Sequence, residues 1–268
     1  MNRFQQAKRI VVKIGTTTLT HGCGLINYRR LESLVKTLAD LKNSGKEIVL
    51  VTSGAIGVGI GELGLKSRPT DMPTKQACAA IGQCELMYTY DKLFGEYNHS
   101  VAQILLTRDN VEEAQLRQNV INTFERLLEF GVIPIVNEND TVSTDEIELG
   151  GNFGDNDTLS AIVAKLIGAD VLVLLSDIDG LYTANPKEDP TATLIPAVEN
   201  IEDVRHLAGG SSSIFGSGGM VTKINAADIA CGAGIDMSII NGSNPALLYD
   251  LFDGNPVGTY FLGRQQDV

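Results

Sequence analysis

The sequence predicts an α/β fold in which a mostly parallel central sheet is covered by helices on both faces. Two observations lead to this prediction. Several segments are continuous runs of valine, isoleucine and leucine, which is typical of strands buried on both faces of a sheet. These runs alternate along the chain with segments of helical periodicity, and that order favours parallel strands joined by crossover helices. The 268 residues suffice for one large domain with a sizeable core.

Seven segments have the pattern of strands, and apolar helical stripes lie between them. The predicted strands are 9–14, 47–51, 101–105, 132–136, 171–175, 236–240 and 259–262. A leucine-rich stripe at 31–41 indicates a helix that ends before Gly45, and a second stripe at 120–128 ends in the same way at Gly131. Residues 159–167 form a further apolar helical stretch.

Composition narrows the classes of function. Hydrophobic residues make up 43% of the chain and charged residues 20%, which is ordinary for a folded globular protein. The net charge of −12 repels nucleic acids and anionic membranes, so neither is expected as a partner. Any bound polyphosphate must therefore be held by local lysines and backbone amides.

Cysteine and histidine spacing gives no sign of a zinc site. No two of the four cysteines have Cys-x-x-Cys spacing, and the three histidines do not cluster. Reduced thiols in a cytoplasmic protein are the expected state. The N-terminus has no apolar signal core, and no segment has the length of a membrane span, which also favours a cytoplasmic location.

Polar residues cluster where a predicted strand ends and a predicted helix begins. Residues 137–140 (NEND) follow the strand 132–136, and residues 154–157 (GDND) open the helical stretch that follows. Acidic and amide groups are costly to desolvate without partners, and ligands bind at the carboxyl ends of strands in open α/β sheets. These residues are expected to form a pocket floor for something small and partly cationic, such as the ammonium group of an amino acid.

A lysine interrupts the first predicted strand. Lys13 follows Ile10, Val11 and Val12, and residues 15–18 (GTTT) add a glycine and three threonines that offer amides and hydroxyls. If Lys13 is buried, its ammonium group needs an anion. The alternative is an edge lysine whose head reaches water.

Two further segments could bind anions. Residues 52–59 (TSGAIGVG) follow the strand 47–51 and open a glycine-spaced helix, whose exposed amides suit an anion. The alternative is that the glycines allow a helix to pack closely against the sheet through small residues. Residues 215–223 (FGSGGMVTK) form a glycine-rich loop that ends in Lys223 at the start of a helix running to about Gly232. Phosphate binding and a flexible surface loop are the two interpretations of this segment.

Together these segments favour phosphoryl transfer. They supply two lysines from separate loops, amide-rich anion sites and one acidic–amide pocket. No Ser/His/Asp set or pair of acid–base carboxylates stands out. Positioning and charge neutralisation dominate phosphoryl transfer, so it needs none of these.

The sequence resembles the glutamate 5-kinases of the amino acid kinase family along almost its whole length. The segments that carry the resemblance, in chain order, are 11–15 (VVKIG), 51–55 (VTSGA), 79–83 (AAIGQ), 103–107 (QILLT), 133–140 (IPIVNEND), 153–157 (FGDND), 180–182 (GLY) and 217–223 (SGGMVTK). Each is weak alone, but their number and order make the match specific.

The resemblance implies a three-layer αβα sandwich, with an amino-acid lobe at about 1–168 and an ATP lobe at about 169–268. It implies phosphorylation of the side-chain carboxylate of glutamate, the first step of proline synthesis. Lys13 and Lys223 would stabilise the transferring phosphoryl group, and Asp157 would organise them. The glutamate-binding residues would be Ser53, Asp140 and Asn156, with Asn137 and Asp155 nearby. The ATP-binding residues would be Lys13, Ser176, Asp177, Ser217, Gly218, Gly219, Met220, Val221, Thr222 and Lys223.

The resemblance also implies Mg²⁺ bound to ATP, a homo-oligomer and feedback inhibition by proline. The loop 141–154 could close differently over glutamate and proline. Many relatives carry an additional C-terminal domain of RNA-binding type, which this chain is expected to lack because it ends at Val268. Two alternatives remain. One is a sister kinase for another carboxylate, such as acetylglutamate or aspartate, and the other is a non-catalytic amino acid or nucleotide sensor on the same scaffold.

Overall fold

A computed structural model of the chain describes residues 3–142, 155–209 and 219–264. The strands are β1 (Arg9–Ile14), β2 (Glu47–Val51), β3 (Val101–Leu106), β4 (Ile133–Glu138), β5 (Val171–Ser176), β6 (Ala197–Val198), β7 (Asp236–Asn241) and β8 (Thr259–Phe261). They form one eight-stranded sheet in the order β3-β4-β2-β1-β5-β7-β8-β6. Every strand pair is parallel except β7 with β8, which confirms the mostly parallel sheet.

Helices cover both faces of this sheet. They are α1 (Arg3–Gln6), α2 (Thr16–Leu19), α3 (Tyr28–Asn43), α4 (Ala55–Glu62), α5 (Met72–Gly95), α6 (Arg108–Glu112), α7 (Ala114–Glu129), α8 (Asn156–Leu166), α9 (Met220–Gly232) and α10 (Leu247–Asp253). One apolar core lies on the face covered by α3, α4 and α5, and a second lies on the face covered by α7, α8 and α9. The fold is therefore the predicted αβα sandwich. Among the described helices, none is both long and apolar enough to cross a bilayer.

Strand β1 shows how the pleat directs side chains to one core or the other. Ile10, Val12 and Ile14 pack in the core beneath α3, whereas Val11 packs in the core beneath α8. Successive side chains of a strand point to opposite faces, so Lys13 shares the face of Val11. The side chain of Lys13 is thereby directed to the layer that contains α8. Since β1 lies between β2 and β5, Lys13 is not on an edge strand.

The predicted strands are all present, and their ends agree with the prediction to within two residues. The largest difference is at β4, which continues to Glu138 and so includes Asn137. The sequence did not predict β6 or the long helix α5. Helix α5 escaped the periodicity criterion because its buried positions include small and polar residues, among them Cys78, Gly82 and Gln83.

Glycines allow α4 and α5 to pack with their backbones in contact. A Cβ atom on Gly59 would lie 1.9 Å from the carbonyl oxygen of Cys78, and one on Gly82 would lie 1.9 Å from that of Ala55. The small-residue packing considered for segment 52–59 is therefore real, although it joins two helices rather than a helix and the sheet. Gly54 has φ +95°, a left-handed conformation that glycine adopts readily and that lets the chain turn into α4.

Candidate active site

The carboxyl ends of β1, β2, β4 and β5 open into a cavity of about 920 Å³. Ligand sites in open α/β sheets lie at this edge. The cavity brings together most of the residues that the sequence predicts for the site. These are Lys13, Ser53, Asn137, Asp140, Asp155, Asn156, Asp157, Ser176, Asp177 and Lys223.

The remaining predicted residues belong to the segment before and within α9. Gly219 is the residue before this helix, and Met220, Val221 and Thr222 form its first turn together with Lys223. Lys223 lines the cavity, whereas Gly219, Met220, Val221 and Thr222 are not among the described residues that line it. The hydroxyl of Thr222 contacts Asp157, which does line the cavity. Ser217 and Gly218 lie outside the described residues, so their predicted contact with ATP stays a prediction.

Two ammonium groups converge on one buried carboxylate. Lys13 Nζ lies 2.6 Å from Asp157 Oδ1, and Lys223 Nζ lies 3.0 Å from Asp157 Oδ2. The three groups come from β1, the first turn of α8 and the first turn of α9, so the carboxylate ties three elements together. The anion expected for Lys13 is therefore Asp157. A Cβ atom on Gly15 would lie 3.5 Å from Lys13 Nζ, so this glycine keeps space open in front of the ammonium group.

The pKa of Asp157 is held well below its ordinary value. Burial, which leaves 1% of the residue exposed, opposes ionisation, but the positive charges of Lys13 and Lys223 outweigh it. The hydroxyl of Thr222 adds a hydrogen bond to Oδ2 at 2.8 Å. Asp157 therefore stays ionised throughout the neutral range and holds both ammonium groups in fixed positions.

Replacing Asp157 by asparagine should lower Tm, and the size of this effect should depend on pH. A carboxylate with a depressed pKa in the folded state contributes stability above its unfolded pKa of about 3.9, and this contribution is lost as pH falls through the folded value. Breaking a buried ion pair costs about 3 kcal/mol, so we expect a drop on the order of 5–10 °C at pH 7.

Calorimetry of both proteins between pH 3 and 8 measures the gap in Tm. The gap should stay constant above about pH 5 and narrow below pH 4, because the wild-type protein then loses the contribution that the variant already lacks. A gap that widens as the pH is lowered would contradict the assigned ionisation of Asp157.

Asp155 fixes the start of α8. Its carboxylate accepts hydrogen bonds from the backbone N–H and the hydroxyl of Thr158, each at 2.8 Å, which is the geometry of a helix N-cap. Burial raises the pKa of Asp155, and the nearby charge of Asp157 acts in the same direction. The contacts observed for Asp155 are thus structural, and its part in substrate binding stays a prediction.

Amide groups form the floor of the cavity between β2, β4 and α8. Asn156 Nδ2 donates to the carbonyl oxygen of Thr52 at 2.7 Å and to Asn137 Oδ1 at 3.0 Å. Beside them, the hydroxyl of Ser53 donates to the carbonyl oxygen of Ile14 at 2.9 Å. Among the predicted glutamate-binding residues, Asn137 and Asn156 are thus bonded to each other, and Ser53 lines the same cavity.

Acidic groups border the amide floor on the β4 side. Asp140 lies half-buried in the turn after β4 and lines the cavity, as the sequence predicts. Glu138, the last residue of β4, also lines the cavity and is 8% exposed. Glu138 belongs to the NEND segment predicted as part of the pocket floor, although it was not among the individually predicted glutamate-binding residues.

Sequence reasoning also missed a set of basic residues and two polar residues behind the floor. The basic residues Lys66 and Arg68, from the segment that joins α4 to α5, and Lys75, from the first turn of α5, line the cavity. Three basic residues in ten positions of an acidic chain are a signal that could have identified them. Gln83 and Tyr90 lie on α5 and contact Asn137 and Thr52, and no sequence pattern marked them.

The fold and the site together define a class of protein. Two ammonium groups held by one buried carboxylate, facing an acidic and amide floor, suit a phosphotransferase that acts on a small charged molecule. A family model described as "Amino acid kinase family" matches residues 8–241. The chain therefore belongs to the amino acid kinase family.

Curated relatives narrow the comparison within this family. The chain is 52% identical to a glutamate 5-kinase of Clostridium perfringens over 263 residues, which are 98% of each chain. It is 49% identical to a glutamate 5-kinase of Enterococcus faecalis over an alignment of 269 positions, which covers 99% of each chain.

Solved structures of other kinases share the fold. A UMP kinase of Bacillus anthracis superposes with a TM-score of 0.64 at 17% identity and covers 96% of each chain. An isopentenyl phosphate kinase superposes with the same TM-score at 18% identity and covers 94% of this chain and 99% of its own. At these identities the likeness concerns the fold alone.

Proposed function

We propose that this protein transfers the terminal phosphoryl group of ATP to the side-chain carboxylate of L-glutamate, the reaction that begins proline biosynthesis. The observation that carries the proposal is the pairing of Lys13 and Lys223 on Asp157, opposite the acidic and amide floor. About 50% identity to glutamate 5-kinases over nearly the whole chain supports the choice of substrate.

The chemistry requires charge neutralisation more than proton transfer. A glutamate side chain has a reference pKa of about 4.3, so its carboxylate is already an anion at neutral pH and needs no general base. One carboxylate oxygen forms a bond to the γ-phosphorus while the bond from that phosphorus to the β–γ bridging oxygen breaks, and ADP leaves with that electron pair. The products are an acyl phosphate and ADP.

The barrier in this reaction is the repulsion between two anions. Lys13 and Lys223 would lie beside the transferring group and reduce its charge, while Asp157 keeps their positions fixed. Asp140, Asn137 and Asn156 would hold the amino acid, and Ser176 and Asp177 would contact the nucleotide from the end of β5.

Mg²⁺ enters as part of the MgATP substrate. Among the residues that the structure describes, no three histidine, cysteine, aspartate or glutamate side chains are grouped so as to hold a metal ion. Both oxygens of Asp157 already face ammonium groups. Mg²⁺ bound to the phosphates would neutralise charge alongside the two lysines.

Two alternatives lie within the same fold. A sister kinase for an acetylated amino acid would gain nothing from an acidic residue such as Asp140, whereas a free ammonium group would pair with it. A non-catalytic sensor would not need two lysines and their shared aspartate, yet all three are in place.

An ADP-release assay separates these possibilities. The substrates to compare are L-glutamate, N-acetyl-L-glutamate, L-aspartate, UMP and isopentenyl phosphate, each with MgATP. We expect turnover with L-glutamate to exceed that with every other compound. A preference for another acceptor would identify a sister kinase, and ATP binding without turnover of any acceptor would identify a sensor.

Proline is expected to inhibit the enzyme in competition with glutamate. Proline shares the α-carboxylate and ammonium groups of glutamate, so it can use the groups around Asp140 and Asn156, but it has no side-chain carboxylate to phosphorylate. The predicted difference in closure of the loop 141–154 over the two ligands falls on residues 143–154, which lie outside the described residues, so it stays a prediction. Initial rates at several proline and glutamate concentrations measure the effect. Complete insensitivity to millimolar proline would contradict it, and inhibition that glutamate does not relieve would indicate a separate site.

The proposed function also suggests where and in what form the protein acts. ATP and glutamate are cytoplasmic metabolites, so we place the enzyme in the cytoplasm, and we propose that it is a homo-oligomer. Sedimentation of the purified protein measures its mass in solution, and a mass of 28.7 kDa would contradict the oligomer.

A further inference from the structure

We propose that Gln83 is a positioning residue that orients the substrate-binding amides Asn137 and Asn156. This inference rests on the proposed function, because it concerns the glutamate site. Gln83 lies on α5 behind the cavity, is 6% exposed and does not line the cavity itself. Its Oε1 atom accepts a hydrogen bond from Asn137 Nδ2 at 2.9 Å. Gln83 would therefore act on the substrate only through Asn137.

Two backbone groups fix which way the amides point. The backbone N–H of Glu138 donates to Asn137 Oδ1 at 2.9 Å, so this atom of Asn137 must be the acceptor. The carbonyl oxygen of Thr52 accepts from Asn156, so the atom of Asn156 that faces it must be the donor Nδ2. Both requirements agree with the third bond, from Asn156 Nδ2 to Asn137 Oδ1 at 3.0 Å.

Gln83 completes this set of bonds at the end away from the cavity. Once Asn137 Oδ1 faces Glu138 and Asn156, Asn137 Nδ2 is directed at α5 and needs an acceptor there. Gln83 Oε1 supplies that acceptor, and within the described part of the chain Gln83 Nε2 is buried without a hydrogen-bond partner. A glutamine that leaves its own donor unpaired is held here for its oxygen.

The consequence at the cavity is an acceptor with a fixed direction. The two hydrogens of Asn156 Nδ2 are used by Thr52 and Asn137, so Oδ1 is the atom that Asn156 has left to offer a ligand. An oxygen that cannot exchange places with its amide nitrogen suits the ammonium group of an amino acid. Without the acceptor on α5, Asn137 Nδ2 would be left without its bond to Gln83, and only the two bonds to Oδ1 would hold the side chain. The orientations of Asn137 and Asn156 would then be less strictly fixed.

The test compares two substitutions of equal length at Gln83. Gln83→Met removes the acceptor and keeps an unbranched side chain, whereas Gln83→Glu keeps an acceptor oxygen at the same position. We expect Gln83→Met to raise KM for glutamate about tenfold, the factor that corresponds to one hydrogen bond, and to change KM for ATP less than twofold. Gln83→Glu should raise KM for glutamate less than threefold.

A control variant and a coupled variant separate positioning from a general loss of stability. Thr89→Val removes a different buried polar group of α5, a hydroxyl that donates to Glu85 Oε1 at 3.3 Å within the helix, and should leave all kinetic constants unchanged. In an Asn137→Ala background, Gln83→Met should add almost nothing to KM, because the residue through which it acts is gone.

Each outcome bears on one hypothesis. Wild-type protein assayed in parallel tests the proposed function, and its failure to phosphorylate glutamate would overturn that function whatever Gln83 does. With an active wild type, an unchanged KM in Gln83→Met would overturn the positioning role alone. Equal effects of Gln83→Met and Gln83→Glu, or additive effects of Gln83→Met and Asn137→Ala, would also overturn it.

Discussion

Replacing Lys223 or Lys13 by methionine should each lower kcat by a factor of about 10²–10³, the typical loss when one preorganised group that stabilises transition-state charge is removed. Methionine keeps an unbranched side chain, one atom shorter than that of lysine, and removes the charge. Lys13 pairs with one oxygen of Asp157 and Lys223 with the other. Because each ammonium group is held in its own position, the remaining lysine does not move into the place of the one that is removed. Each therefore supplies a charge that only its own position provides.

Steady-state rates at saturating MgATP and glutamate test this expectation, and the thermal midpoint of each variant shows whether the fold is intact. Lys165→Met is the matched control, because Lys165 is an exposed lysine on the same helix as Asp157. This control should retain wild-type turnover. Near-normal kcat in Lys13→Met or Lys223→Met would remove that lysine from the mechanism.

The strands and the charged centre of the site were predictable because they depend on local patterns. Runs of valine, isoleucine and leucine predicted strands such as β1 and β5. If β1 is buried, the lysine within it needs an anion as a partner. Lys13 and Lys223 were found as separate features of the sequence. Their meeting at Asp157 came from the resemblance and is set physically by the pleat of β1 and by the positions of α8 and α9.

Contacts made by helices and strands that have no periodic hydrophobic pattern could not be predicted from the sequence. Helix α5 buries Cys78, Gly82 and Gln83 in place of large apolar residues because α4 packs against its backbone and the amide floor packs against Gln83. A hydrophobic stripe is the signal on which periodicity depends, so such a helix remains hidden. The role proposed for Gln83 depends on its bond to Asn137, 54 positions away in the chain, which no local pattern contains.

Replacing Asp140 by asparagine should raise KM for glutamate about 10–100-fold and leave KM for ATP within twofold of wild type. The carboxylate lies at the end of β4 beside the amide floor, where an ammonium group of the substrate can form a charge-assisted hydrogen bond. Such a bond contributes about 1.5–3 kcal/mol, which corresponds to the expected range of KM. Asparagine keeps the shape and loses the charge, so the effect measures the ion pair.

The same variant should lose discrimination between glutamate and glutarate, which has both carboxylates but no amine. In the wild-type enzyme the preference in kcat/KM for glutamate over glutarate contains the contribution of the ammonium group, and in Asp140→Asn that contribution is largely absent. Rates with glutarate should therefore change little, because this compound has no group that pairs with Asp140. Asp91 is an exposed aspartate on α5, and Asp91→Asn is the control. It should leave the preference for glutamate over glutarate and the KM for ATP unchanged. Equal effects on glutamate and glutarate, or a change in KM for ATP, would mean that the ammonium group binds elsewhere in the cavity. Glu138 would then be the next residue to test, because it also lines the cavity and ends β4.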